Sequence, residues 1–546
     1  MKKKILTILL AAIASAAIFT GCGKDGDGDS SVGGGSTEIG KFKEDGVTLK
    51  WLLFGGQDEY YQYYFSEMKG LQKIQEETGI TIEFEVEPGD SRYSEIMAAA
   101  NYPDIITAKH LEKYAGRLDK LYLDGVSIAL DPYIDEYMPN FKQILIDYPT
   151  IAKDLQISTG EYTFASTLYD VTNEDDRAAT SVYGLAIRQD WLDSVGQEVP
   201  TNIAEWRDAL MAFKSMDPNA NGEKDEEPIC MASSGWKYFL CAYGIGDDPV
   251  VGEDGKVFYG YTTPEYKEFL TEMNKWNNEE LFDHWFKHGT LEKREEGVTN
   301  NVVGAWKADA DHFDEEDPSS YISVLRQTVP DAEFAACPWP KTADGRAYCY
   351  ATIDSFHRDT TIITTNCKNV EAACWLIDAM YSEEGSNLLS WGIEGESYEV
   401  KNGEKVMLEG MDEDVTYYDT IKKQRYLYAD PTDIAFPKFK TFASCILSTK
   451  SDGYVEACRV WSQGDDSYKM PLAAQLNDAE NAEVEDVTEG MKDYLSSMRQ
   501  KFITGKEPLT NYDTYVEQCK LYGSEEYERI WQECYDAYAA RKAYGE

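Results

Sequence analysis

The chain has no Cys-x-x-Cys pair, no Gly-x-Ser-x-Gly, no Gly-x4-Gly-Lys-Ser/Thr and no His-Glu-x-x-His. Zinc-ribbon, thioredoxin-like, serine-hydrolase, P-loop and zincin chemistry therefore have no motif to stand on. Its five histidines include His284 and His288 at i,i+4 spacing, but Trp285 stands where a metalloprotease needs glutamate, so the pair reads as helix surface or packing. Basic residues are scarce: 52 Lys+Arg face 99 Asp+Glu, a net charge of −47. Such a surface repels phosphate backbones and offers anionic lipid nothing to hold, which disfavours nucleic-acid binding and peripheral attachment through basic residues. Beyond the first twenty residues no segment is apolar for long enough to cross a bilayer as a helix.

What is there begins with a leader. Met1–Lys4 is a basic cap, and Ile5–Phe19 is an apolar run of signal-peptide length. Thr20 and Gly21 before Cys22 resemble a bacterial lipobox, although Phe19 stands where that motif usually has leucine. Residues 1–21 are expected to be a lipoprotein signal peptide and Cys22 the acylated mature N-terminus. An ordinary secretory signal with an incidental cysteine is the alternative. Residues 22–45 are rich in Gly, Ser and Asp, cannot bury a core, and read as a flexible tether. From Val47 on, a chain with 42% hydrophobic and 13% aromatic residues is globular and long enough for two or three domains. Apart from Cys22, ten cysteines remain. An exported protein can pair them, for instance Cys230 with Cys241 or Cys445 with Cys458, and buried free thiols are equally consistent.

The coarse pattern alternates. Strand "VTLKWLLFGG", an amphipathic helix closed by Gly79, and strand "ITIEFEVEP" form a βαβ unit that predicts a parallel sheet. "YPDIITA" and "TTIITTNC" read as further strands, the latter followed by the helix "NVEAACWLIDAMYSEEG", and the chain from about Asp412 reads as mostly helical.

One local motif carries chemistry. Asp217, Asn219 and Asn221 place oxygens at alternate positions, and Gly222 supplies the turn. Glu223 can add a backbone carbonyl, and Asp225 and Glu226 can complete a shell suited to Ca2+. Pro228 sits where an EF-hand has its bidentate glutamate, so Glu226 or Glu227 must substitute. The bland reading is a solvated Asp/Asn/Gly turn. As a calcium loop it is structural, pinning a helix to the following strand.

"GLAIRQDWLDSVG", "VPTNIAEWRDALMAFK" and "DPNANGEKDEEP" resemble the extracellular solute-binding proteins of bacterial ABC sugar importers, within them the large Gram-positive lipoproteins. "YPDII" (Tyr102–Ile106), "VVGAWKADA" (Val302–Ala310) and the run from Ala379 to Glu399 resemble the same group in the same order. The resemblance implies an α/β, two-lobed periplasmic-binding-protein-like fold with a hinge and an interlobe cleft. It places one lobe at 46–175 plus 356–410 and the other at 176–355 plus 411–546. It also implies a monomer, lipid-anchored on the extracellular face of the membrane, that binds a carbohydrate and docks on ABC transporter permease subunits. For the sugar, Trp306 in the Gly-x-Trp segment is the expected stacking residue by that resemblance. Trp236 in a Ser/Gly loop and Trp391 beside Gly392 are further aromatic candidates. Arg188 is a donor candidate, with pairing to Asp190 or Asp193 as its alternative, and Asp309 an acceptor candidate. No catalytic residue is expected; a secreted glycoside hydrolase and an oligopeptide binder are the competing readings, but 99 acidic residues make carboxylate pairs uninformative.

Overall fold

A computed structural model describes residues 38–54, 65–87, 90–109, 114, 117–232, 234–246, 249–282, 290–350, 355–417, 420–429, 436–439, 445 and 447–546. The signal peptide, Cys22, residues 23–37 of the tether, His284 and His288 lie outside the described residues. Residues 38–45, expected to be tether, instead pack on the body: Ile39 and Phe42 are buried in the first core and Phe42 N–H donates to the Thr78 carbonyl. Among the described residues, nine strands build the two larger sheets: β1 (Thr48–Phe54), β2 (Thr81–Glu87), β3 (Ile105–Lys109), β4 (Ala165–Leu168), β5 (Tyr183–Arg188), β6 (Ala305–Asp309), β7 (Phe334–Cys337), β8 (Phe356–Ile363) and β9 (Lys438–Phe439). The first sheet runs β9-β4-β8-β3-β1-β2. β1 pairs in parallel with β2 and β3, as the βαβ pattern predicts. The intervening helix, Lys69–Thr78, buries Leu71, Ile74 and Thr78 at helical spacing and ends on Gly79, whose φ of 71° lets its N–H reach the Gln75 carbonyl. β8 enters antiparallel between β3 and β4, so the sheet is mixed.

The second sheet is small and antiparallel, β6-β5-β7. Each sheet has its own apolar core. The first gathers Trp51, Ile106, Phe141, Leu168, Ile363 and Leu376, and the second Ile187, Trp206, Phe239, Trp276, Trp306 and Trp461. Two separate cores in one chain are the packing signature of two lobes.

The chain passes between the cores more than once. It leaves the first after Leu168, returns between Cys349 and Phe356, leaves again between Phe439 and Leu447, and touches the first core once more at Ala473. The third passage falls well beyond the expected boundary at 410. β9 pairs with β4, and Phe436 packs edge-on to Trp51 and Phe65 in the first core. The stretch after Asp412 is likewise not wholly helical, since Asp414–Tyr417 and Thr420–Lys423 form a hairpin. The ten cysteines among the described residues are unpaired thiols, all buried. No described helix is long and apolar enough to cross a membrane.

Candidate functional site

The first three passages meet at one end of the second sheet. The first ends in the helix Glu174–Thr180 and delivers the chain to Tyr183, which opens β5. Gly184 follows because a Cβ there would lie 2.1 Å from the Trp461 indole nitrogen. That indole N–H donates to the Leu185 carbonyl at 3.3 Å. The second passage starts at Tyr350, whose ring lies 4.9 Å from Tyr238, itself stacked on Trp339. The third supplies Lys450, whose ammonium is 2.9 Å from Asp311 and 3.3 Å from Asp314, just past the end of β6.

The side chains presented at this end form a polar and aromatic group. Tyr183 is paired in register with Asp309 across β5 and β6, and is 45% exposed. Lys307, two residues before Asp309 and on the same face of β6, forms an ion pair with it and holds its ammonium 4.2 Å from the centre of the Tyr183 ring. Burial pushes the Lys307 ammonium below its ordinary pKa, opposed by Asp309. Behind them Arg294 is buried, donating to the Lys307 carbonyl at 2.9 Å and to the Tyr321 hydroxyl at 3.4 Å. His312 stacks on Tyr321 at 3.7 Å. Burial first, then the Arg294 charge, pushes its pKa down to about 3. The imidazole is therefore neutral, and its Nδ1 accepts from the Trp306 indole at 3.2 Å.

Of the five expected ligand contacts, only Asp309 lies at this open end. Trp306 has no exposed surface: it points to the opposite face of β6 from Lys307 and meets Phe334 edge-on at 4.8 Å. Trp236 is buried beneath the Arg499 guanidinium, 4.1 Å from its ring, and Trp391 is buried against Tyr398. Arg188 is fully buried, donating through Nε and Nη2 to Asp190 and through Nη1 to Asn301. It closes β5, five residues from Tyr183, which at about 3.3 Å per residue puts it roughly 16 Å from the passages. Tyr183 went unremarked in the sequence. Its only signal is the alternation of β5, which needs the pairing with Asp309 to become legible.

The oxygen-rich loop sits at that far end. Asn219 Nδ2 donates to the Asn301 carbonyl, and Glu227 bonds backbone to backbone with Val302 and Gly304, beside the start of β6. Asp217 adopts φ 51°, and its carboxylate accepts from Gly222 N–H at 3.2 Å. Both Asn219 and Asn221 direct their amides at Asp225, while their oxygens accept from Asn221 N–H and Glu223 N–H. Among the described residues no three His, Cys, Asp or Glu side chains form a metal cluster, so the loop must draw on amide and carbonyl oxygens as well. Two features fit a cation. Asp217 Oδ1 and Glu226 Oε1 are buried without a hydrogen-bond partner, and Glu226 is raised by burial and by the neighbouring Asp217 and Asp225 charges.

The family pattern described as "Bacterial extracellular solute-binding protein" matches residues 56–387. The fructooligosaccharide ABC transporter substrate-binding protein FusA of Streptococcus pneumoniae serotype 4 is 25% identical over 526 residues, covering 86% of this chain and 87% of that one. Among solved structures, an EF-hand mutant of FusA in complex with fructo-nystose matches with a TM-score of 0.61 at 22% identity, covering 91% of this chain and all of that one. A human-milk-oligosaccharide-binding solute-binding protein from Bifidobacterium longum infantis matches with a TM-score of 0.67 at 18% identity, covering 90% and 99%. At these identities the structural matches establish the two-lobed fold.

Proposed function

The chain belongs to the bacterial extracellular solute-binding proteins, and from that premise we propose that it captures an oligosaccharide between its lobes and delivers it to an ABC importer without turning it over. The observation that carries this reading is the meeting of three interlobe passages at the end of the second sheet that presents Tyr183, Lys307 and Asp309. A cleft beside the passages is where hinge closure brings two walls onto one ligand. The ligand's binding energy then favours the closed form, which docks on permease subunits. The relative FusA is a fructooligosaccharide binder by its description, which supports a carbohydrate.

Two further parts belong to the same reading. The protein is held on the outer face of the cell membrane through an acylated Cys22, with residues 22–37 as tether, since Ile39 and Phe42 already pack in the first core. Ca2+ is held by Asp217, Asn219, Asn221, the Glu223 carbonyl, Asp225 and Glu226, where it neutralises the carboxylates and pins the turn. Its distance from the passages makes it structural, and the EF-hand named for the FusA mutant supports such a loop in a related fold. The lobes are taken as residues 39–168 with 356–439, and 178–349 with 447–527.

The test is thermal melting of the mature protein against neutral oligosaccharides, uronates and peptides, with the sugar then recovered and chromatographed. A stabilising shift with intact sugar supports the reading. Cleaved sugar replaces it with a glycosidase, and a shift with peptides alone replaces the ligand class.

A further inference from the structure

Resting on the oligosaccharide reading, the crossing end of the second lobe says which residue receives a sugar ring and what charge that sugar carries. A sugar ring has an apolar C–H face and an edge of hydroxyls, so its subsite needs an exposed aromatic face with a planar acceptor and a donor beside it. Among the described residues only Tyr183 and Tyr522 are exposed large aromatic side chains. Tyr522 packs on Tyr494 in the C-terminal helices, 5.3 Å between ring centres. Tyr183 stands where the passages converge. The Lys307 ammonium covers one face of its ring at 4.2 Å and fixes it in place. Asp309, directly across the strands, supplies a carboxylate within the reach of a cross-strand neighbour, about 5 Å between Cβ atoms.

The charge of the subsite is already settled within it. Lys307 is paired with Asp309, Arg294 is turned onto a carbonyl and a hydroxyl, and Lys450 bridges Asp311 and Asp314. A uronate brought to Tyr183 would meet the Asp309 carboxylate and no cation lacking a partner among these groups. We infer that Tyr183, flanked by Asp309 and Lys307, is a sugar-stacking subsite that takes a neutral ring and rejects a uronate. The three tryptophans lie inside the packing, so the exposed tyrosine carries the stacking.

Isothermal titration of the mature protein with nystose and with trigalacturonate tests this. Wild type should bind nystose and bind trigalacturonate far more weakly. Tyr183→Ala should weaken nystose by about tenfold or more, the equivalent of about 1.4 kcal/mol, and Tyr183→Trp should restore it. Both variants should melt with wild type, because the side chain is half exposed. Asp309→Asn should shift the ratio of the two affinities towards trigalacturonate by about tenfold. Tyr522→Ala should change neither. Wild-type binding that Tyr183→Ala leaves within twofold, or a wild-type preference for trigalacturonate, overturns the subsite and leaves the oligosaccharide reading standing. Wild type silent towards both sugars overturns both.

Discussion

The oxygen-rich loop makes a prediction whose sign reverses with one reagent. Without a cation, Asp217, Asp225 and Glu226 face one another, and two of their oxygens are buried without a hydrogen bond. Two unit charges about 5 Å apart repel by about 3 kcal/mol at an effective dielectric of 20. Glu226 is only half-buried, so solvent screening cuts this to about 1 kcal/mol. Glu226→Gln should therefore raise the melting temperature in EDTA. With Ca2+ at a hundredfold above its dissociation constant, wild type should gain about 2.7 kcal/mol. At about 2.1 cal/mol/K per residue, unfolding roughly 500 residues carries about 1 kcal/mol/K, so the gain is about 3 °C and the Glu226→Gln benefit in EDTA about 1 °C. Glu226→Gln removes a ligand and should lose most of the calcium gain. The two melting curves should cross: variant above wild type in EDTA, below it in calcium. Scanning calorimetry in the two buffers reads this directly. A wild-type melt indifferent to EDTA and calcium, or a variant less stable in both, would mean a solvated turn held by Glu226 and no metal.

Three further outcomes can be checked. Asp378 accepts from Phe141 N–H and Asn140 at 2.8 Å each, and burial raises its pKa from 3.8 to about 7. The native state thus holds a proton the unfolded chain has lost, and stability falls as pH rises from about 4 to about 7, by up to about 4 kcal/mol. Asp378→Asn should flatten that slope in urea titrations and be the more stable protein at pH 8. Arg188→Leu leaves Asp190 without its buried partner and should cost about 3 kcal/mol in the same assay, while nystose affinity stays unchanged because Arg188 closes the far end of β5. The ten buried thiols, with burial pushing Cys241 and Cys445 up to about 12, should resist a thiol reagent in the native protein and all react in denaturant.

How far the sequence reached depended on how local each signal was. The βαβ unit was legible because a period-3.6 helix ending in Gly79 sits between two apolar strands, all within forty residues. The oxygen-rich turn at Asp217–Glu226 was legible for the same reason. The placement of β8 between β3 and β4 was not, since an antiparallel insertion is decided by sheet packing some 250 residues away. β9 was hidden further, because two residues, Lys438–Phe439, carry no periodicity. The Gly-x-Trp resemblance pointed to Trp306, which the structure buries. Trp306 and Lys307 are neighbours on β6, and a strand sends neighbours to opposite faces. The indole fills the core while Lys307 and Asp309 reach the surface beside Tyr183.

The C-terminal helix, Ser524–Ala539, fixes where such a clamp turns. On the second lobe its Gln532 and Glu528 side chains accept from Val257 and Tyr259 N–H. Its end crosses to the first lobe, where Tyr538 donates to Asp154 at 2.7 Å, Arg541 to the Lys153 carbonyl at 3.0 Å and Tyr544 to Asp135. Asp154 also accepts from Ser355, beside the second passage, and burial raises its pKa. These bonds stitch the lobes together along the passages, so rotation about that seam preserves them, while rotation elsewhere breaks several at about 1 kcal/mol each. Displacement in a rotation grows with distance from the axis. Tyr183 and Asp309, at the passages, move least, and the outer rims of the lobes move most. A ring seated on Tyr183, as proposed, would therefore keep its contacts as the lobes close, and closure would add those of the first lobe, the differential binding between open and closed forms that a hinged receptor requires.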